Sequence, residues 1–172
     1  QNHSSKYAQF EFMVTKRNQS EWETNDRFSE NPFKNHGLWN HDVVEVFLQC
    51  RADEKDHYSS PYLELQVSPL NQSFALLIKK PREHFLPLEN LNFQHRSVVE
   101  GKTWKATLWV ELPDELLEKE FLPSKELHLF GGFFSCLGRS PREFYSLEEL
   151  PEGEVDFHRP ELFLPLGQIW ES

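Results

Sequence analysis

Gly37–Leu48, GLWNHDVVEVFL, is the stretch whose reading decides the fold. It opens with a Gly-Leu-Trp turn, passes through Asn40, His41 and Asp42, and becomes a strand. Val44, Val46 and Leu48 point one way, and Val43, Glu45 and Phe47 the other. Branched aliphatics and aromatics at a period of two suit a pleated, half-buried surface with one face on a core. Glu45 then stands in mid-strand on the face opposite Val44, Val46 and Leu48. A tryptophan at the start of a strand and a carboxylate inside it are tools for gripping a polar ring, which is a binding motif before it is a catalytic one.

The same alternation recurs outward from this stretch. Tyr7–Lys16 places Phe10, Phe12 and Val14 on one side. Pro61–Ser68 turns Leu63, Leu65 and Val67 inward and Tyr62, Glu64, Gln66 and Ser68 outward. Pro69-Leu70-Asn71 makes a turn, and Ser73–Lys80 returns as the hairpin partner. Lys102–Leu112 sets Trp104, Ala106, Leu108 and Val110 against Lys105, Thr107, Trp109 and Glu111. Leu127–Cys136, with Gly131-Gly132 suggesting a bulge or bend, and Arg142–Leu147 complete the strands.

Between them, Asn18–His36 reads as a long loop pinned by Trp22, Phe28 and Phe33. Arg51–Pro61 reads as a charged loop tip and Arg82–Gly101 as irregular. Pro113–Glu120 carries the Pro-Asp-Glu start of a short helix. Seven or eight short strands without a βαβ rhythm predict an all-β, antiparallel β-sandwich of jelly-roll or Ig-like layers. At most one or two short helices accompany it, and residues 1–172 form a single domain.

Composition narrows the partners. Eighteen Lys+Arg against 28 Asp+Glu give a formal charge of −10, so the clustered cations that phosphate contacts need are missing and nucleic acid is not expected. No apolar run approaches the length of a membrane span. Cys50 and Cys136 both fall in predicted strands, where a buried free thiol is the usual reading. No signal peptide is visible from Gln1, and a chain that opens without Met is read as having lost a leader or tag.

Four segments, taken together and in order, carry a resemblance. Leu38-Trp39 through Glu45-Val46-Phe47-Leu48 is similar to an LWxxDxxExFL element, and Tyr62-Leu63-Glu64-Leu65-Gln66-Val67-Ser68-Pro69 to a YxExxxSP strand and turn. Gly138 through Phe144-Tyr145-Ser146-Leu147 is similar to a SYWAL-like strand. Asp156-Phe157-His158-Arg159-Pro160 with Phe163 to Leu166 is similar to a closing DFHxPexFxxxL signature. The set resembles family 9 carbohydrate-binding modules and their DOMON-like relatives, from Tyr7 to Leu166.

That resemblance implies a β-sandwich holding a mono- or oligosaccharide between two aromatic walls. Carried over by position, Trp39 is one wall, Glu45 the strand carboxylate that bonds hydroxyls, and Arg82 a basic residue reaching the same sugar. Tyr145 falls where the family has the second tryptophan. Glu64, Gln66, Trp109 and His41 are secondary candidates for the same ligand. No Ser-His-Asp or Cys-His arrangement stands out, so no catalysis is expected, and no cofactor is expected. The compartment is left open, with a periplasmic or extracellular setting slightly favoured over a cytoplasmic one. Some family modules carry structural calcium, but no dense Asp/Asn run here resembles a dedicated loop for it.

The chemistry agrees with the resemblance. A pyranose lays C–H faces on flat rings and needs directed partners for its hydroxyls, which charged acceptors serve more strongly than neutral ones. Blander readings stand beside these: Trp39 as a core plug, Glu45 paired with Lys105 across the sheet, Asp42 bonded to the turn backbone. His158 beside Asp156 and near Glu161 has no second His at metal-ligand spacing. A haem-carrying DOMON-type domain would need axial ligands, for which Met13 and His128 are the available pair. A protein-interaction surface built on the outward aromatics is the other rival, and a glycosidase pair such as Asp42/Glu45 or Glu45/Glu64 the last.

Overall fold

The computed structural model describes residues 7–16, 21–28, 35–58, 60–88, 90–117, 126–153 and 155–170, with backbone alone at 126 and 168–170. Phe33, one of the rings expected to pin the first loop, lies outside these residues. The period-two segments form strands β1 (Tyr7–Thr15), β2 (Val43–Arg51), β3 (Tyr62–Val67), β4 (Ser73–Lys80) and β5 (His84–Pro87). They continue as β6 (Phe93–Glu100), β7 (Thr103–Glu111), β8 (Glu126–Leu137), β9 (Glu143–Ser146) and β10 (Leu164–Trp170). Helical structure among the described residues is slight: α1 (Asp114–Leu117) and 3₁₀ turns at Leu38–Asn40 and Pro160–Leu162.

Two antiparallel sheets result. One runs β1-β7-β6; the other runs β10-β8-β2-β3-β4-β5, with β9 pairing the far half of the β8 edge that β10 uses. The faces read from sequence meet between the sheets. Val44, Val46 and Leu48 of β2 pack with Leu63 and Leu65 of β3 and with Trp104 and Leu108 of β7, all fully buried. This is the all-β sandwich the alternation predicts.

Two expectations are corrected. Arg82–Gly101 is not irregular, since it contains β5 and β6. Every residue of β5 is exposed and β6 is only partly buried, so neither strand needed the apolar alternation that makes a strand legible. The central strands also do not have one buried face and one open face: all of β2 and β3 is buried. The chain after β9 folds back over the outer face. Phe157 stacks on Phe134 at 4.2 Å between ring centres, and Phe163 meets Phe47 and Tyr62 edge-on. Arg51 Nη2 donates to the Pro160 carbonyl at 2.6 Å and Tyr58 Oη to Glu161 at 2.5 Å, which fixes this cover.

Gly132 permits that approach. A Cβ there would stand 2.7 Å from the Phe134 ring and 2.9 Å from the Phe163 ring, closer than packed carbons tolerate. β8 runs through Gly131-Gly132 without a break; the register slips instead in its partner, between Pro165 and Gly167. Cys50 belongs to the core between the sheets and Cys136 to the cluster on the outer face, and no disulfide joins them. Trp22 meets Trp104 edge-on at 5.7 Å, and Phe28 joins the outer cluster, so both help to pin the first loop.

Candidate functional site

The outer face of the seven-stranded sheet is not wholly covered. A cleft of about 470 Å³ remains over β2 and β3, between the Leu38–Asn40 turn, β9 and the returning chain. That volume falls in the range of roughly 300–1,000 Å³ usual for small-molecule sites. Trp39 and Phe144 line its sides, with Glu45, Glu64, Gln66 and His158 below.

Each polar group is there for a local reason. Glu45 follows Asp42 by three residues and, once β2 begins at Val43, shares the outer face with Val43 and Phe47. β2 and β3 pair with Glu45 opposite Gln66 and Phe47 opposite Glu64, so the two glutamates are diagonal neighbours. Gly37, at a left-handed φ of 93°, turns the chain into the short helix that carries Trp39. The Trp39 ring is half-buried, resting on Phe74 at 5.7 Å and His36 at 4.7 Å between ring centres.

Asp42 holds this turn to its surroundings. Its carboxylate accepts from the backbone N–H groups of Glu23 at 2.7 Å and Gly138 at 2.5 Å and pairs with Lys16 Nζ at 2.9 Å. Asp42 is thus a backbone partner, but of Glu23 and Gly138 rather than of its own turn. Arg142 completes the brace from the other side, donating to the carbonyls of Trp39, His41 and Gly138.

The floor is short of positive charge. Burial, and then the neighbouring Glu64, push the Glu45 carboxyl well above the ordinary glutamate range, against weaker opposition from Arg142 and Cys136. Burial pushes Glu64 up to about 7, opposed by the hydrogen bond that Gln66 Nε2 donates at 2.6 Å. His158 Nε2 stands 3.9 Å from Glu64 while its Nδ1 is hydrogen-bonded to the Tyr62 hydroxyl at 2.7 Å. Burial, helped by Arg82, pushes His158 down to about 4, so it is neutral and lends no cation near pH 7. Gln66 Oε1 is buried and has no hydrogen-bond partner.

Of the residues expected to share a site, the structure brings together Trp39, Glu45, Glu64 and Gln66. Tyr145 is not among them. The β8–β9 pairing sets Phe144 opposite Cys136 and Tyr145 opposite Ser135, so these rings face opposite ways. Phe144 lines the cleft, while Tyr145 lines a separate groove against β1, with Phe10, Phe12 and Leu147. The expected wall is thus displaced by one residue, because a slip of one in a strand exchanges its faces.

Arg82 sits at a left-handed φ of 63° in the turn before β5 and is ion-paired to Asp156 on the cleft rim. Trp109 lies on the other sheet, beside Tyr7, Asn92 and Gln94. His41 stands behind the Trp39 turn, edge-on to Phe28 at 5.5 Å, outside the cleft. Lys105 is also on the other sheet, which rules out its pairing with Glu45 across one sheet. Met13 and His128 turn to the outer faces of different sheets and so cannot bracket one iron. Among the described residues no three His, Cys, Asp or Glu side chains gather closely enough to hold a metal ion.

Phe144, Arg142 and the Tyr62–His158 pair were not found from sequence. Period two in Arg142–Leu147 separates Phe144 from Tyr145, yet only the register against β8 says which faces the cleft. Arg142 acts on backbone carbonyls, which leave no trace in side-chain patterning.

The molecule is therefore an antiparallel β-sandwich with an acidic, aromatic-walled cleft on the outer face of its larger sheet. No protein-family model matches the chain. It is 30% identical over 132 residues to the UPF0462 protein C4orf33 homolog of Danio rerio, a match covering 74% of this chain and 59% of that protein. The chain thus spans little more than half the length of this relative. Its fold is shared with a crystal structure of a candidate carbohydrate-binding protein from Bacteroides uniformis. The TM-score is 0.65 at 12% identity, over 96% of this chain and 73% of the other. No described helix is long and apolar enough to cross a membrane.

Proposed function

We propose that this chain binds carbohydrate without turning it over. One sugar ring sits in the cleft against Trp39 and Phe144, above Glu45, Glu64 and Gln66. The observation that carries this reading is Gln66 Oε1, a buried acceptor without a donor, beside a half-buried tryptophan ring. A buried polar atom left unpaired costs about 1–3 kcal/mol, and a hydroxyl arriving on a ring that stacks over Trp39 removes that cost. The fold shared with the Bacteroides uniformis protein, itself a candidate carbohydrate binder, points the same way. Arg82 takes part through Asp156 at the rim rather than at the floor.

The two carboxyl groups support the non-catalytic part of this reading. A glycosidase divides labour between one protonated and one ionised carboxyl, set apart by unlike environments. Here burial drives Glu45 and Glu64 in the same direction.

Calorimetric titration with mono- and oligosaccharides tests the proposal. A Kd of roughly mM to μM, about 4–8 kcal/mol, is expected for a single ring. Trp39→Ala should weaken binding at least about tenfold, or about 1.4 kcal/mol. The absence of heat with every sugar at millimolar concentration overturns the reading, and release of dye from chromogenic glycosides overturns its non-catalytic part.

A further inference from the structure

With Glu45 and Glu64 ionised, the cleft floor is built almost wholly of acceptors; with no cation on it, burial instead holds both carboxyls towards their protonated form. Glu64 Oε1 already takes the Gln66 amide N–H, and Gln66 Oε1 has no donor. The Cys136 thiol donates a long hydrogen bond to Glu45 Oε1 at 3.9 Å, whereas His158 Nε2, at 3.9 Å from Glu64 Oε2, is beyond one. Arg142 favours ionised Glu45, though less than burial and Glu64 oppose it, and its N–H groups donate to the carbonyls of Gly138, Trp39 and His41; Arg82 is paired with Asp156. No lysine or arginine among the described residues forms an ion pair with Glu45 or Glu64. Glu45, Glu64 and Gln66, all nearly buried, therefore line a cavity walled by the Trp39, Phe144 and Phe157 rings.

Ordinary hydroxyls match such a floor poorly, since each donates a single hydrogen bond and brings no charge. An ammonium group donates three, supplies the missing counter-charge, and is attracted to the faces of aromatic rings. We infer that the group seated on this floor is a protonated amine, so that among sugars the cleft selects amino sugars over neutral hexoses. The inference rests on the carbohydrate reading above and narrows it to a substrate class.

Titration of glucosamine, galactosamine and mannosamine against glucose, galactose and mannose at near-neutral pH tests it, with N-acetylglucosamine as the uncharged control. At least one amino sugar should bind about tenfold or more tightly than its neutral counterpart, and acetylation should remove the gain. Glu64→Gln, which keeps the side-chain shape, should bring the ratio of amine to neutral affinity towards one; circular dichroism checks that it folds. Equal affinity for amino and neutral sugars overturns the amine inference and leaves carbohydrate binding standing. N-acetylglucosamine binding as tightly as glucosamine, or a ratio unchanged in folded Glu64→Gln, also overturns it. No binding by any of these sugars overturns the amine inference, and no binding by the oligosaccharides either removes the carbohydrate reading as well.

Discussion

Glu64 is a glutamate that the fold holds near neutrality rather than one that the fold ionises. Its folded value of about 7 lies above the ordinary 4.5, so the native state binds the extra proton. The stability contributed by that proton is full below 4.5 and lost as pH rises through about 7. Glu45 is raised too and acts with the same sign. His158, depressed to about 4, acts oppositely: its contribution is full above 6.5 and lost as pH falls towards 4. The opposing contributions overlap below 6.5, so the glutamates are read cleanly only above it. Between pH 6.5 and about 8 the protein should lose stability, with Glu64 alone accounting for about 1 kcal/mol. Urea unfolding at several pH values should show a shallower decline in Glu64→Gln. An unchanged slope would mean that Glu64 is not buried as a neutral acid.

At the scale of the element, the Leu38–Asn40 turn is precise because its neighbours are bound to its backbone. Asp42, with none of its side chain exposed, joins Lys16 after β1, Glu23 in the first loop and Gly138 after β8. Removing one partner of a buried ion pair leaves the other charge uncompensated, which costs about 3–5 kcal/mol. Asp42→Ala should therefore lower the unfolding free energy by about that amount, as measured in urea, and weaken ligand binding by loosening the Trp39 turn. A loss below about 1 kcal/mol would show that Lys16 reaches solvent instead. The motif LWNHDVVE is thus divided by role. Leu38 plugs the outer cluster, Trp39 lines the cleft, Asp42 fixes the turn and Glu45 supplies the floor.

For the whole molecule, the larger sheet serves two clusters at once. Its inner face packs against β1, β6 and β7, while its outer face is roofed by the segment from Phe157 to Phe163. The two cysteines sit on opposite sides of that sheet, Cys50 inward and Cys136 outward. No rearrangement short of unfolding brings their sulfurs to bonding distance. Thiol titration should find both groups slow to react in native buffer and fully reactive in denaturant, and oxidation of the native protein should yield no internal disulfide by mass spectrometry. A native intramolecular disulfide would contradict the arrangement of the sheet.

The amino-acid order by itself determined the sandwich, the faces of β2 and β3, and the candidacy of Trp39, Glu45, Glu64 and Gln66. The sandwich, the strand faces and the places of Glu45, Glu64 and Gln66 depend on a local period of two that the chain displays without help from distant residues. Trp39 instead stood out by its place before the strand and by the family resemblance. It also separated Phe144 from Tyr145 but not which of them meets the cleft. β5 and β6 stayed hidden because exposed strands carry little apolar patterning. Only the tertiary structure decided that the outer face is roofed, that Phe144 rather than Tyr145 forms a wall, and that Trp109 and Lys105 belong to another sheet. Those outcomes depend on strand register and on contacts between segments far apart in the chain, and the cleft exists only where the roof stops short of the sheet.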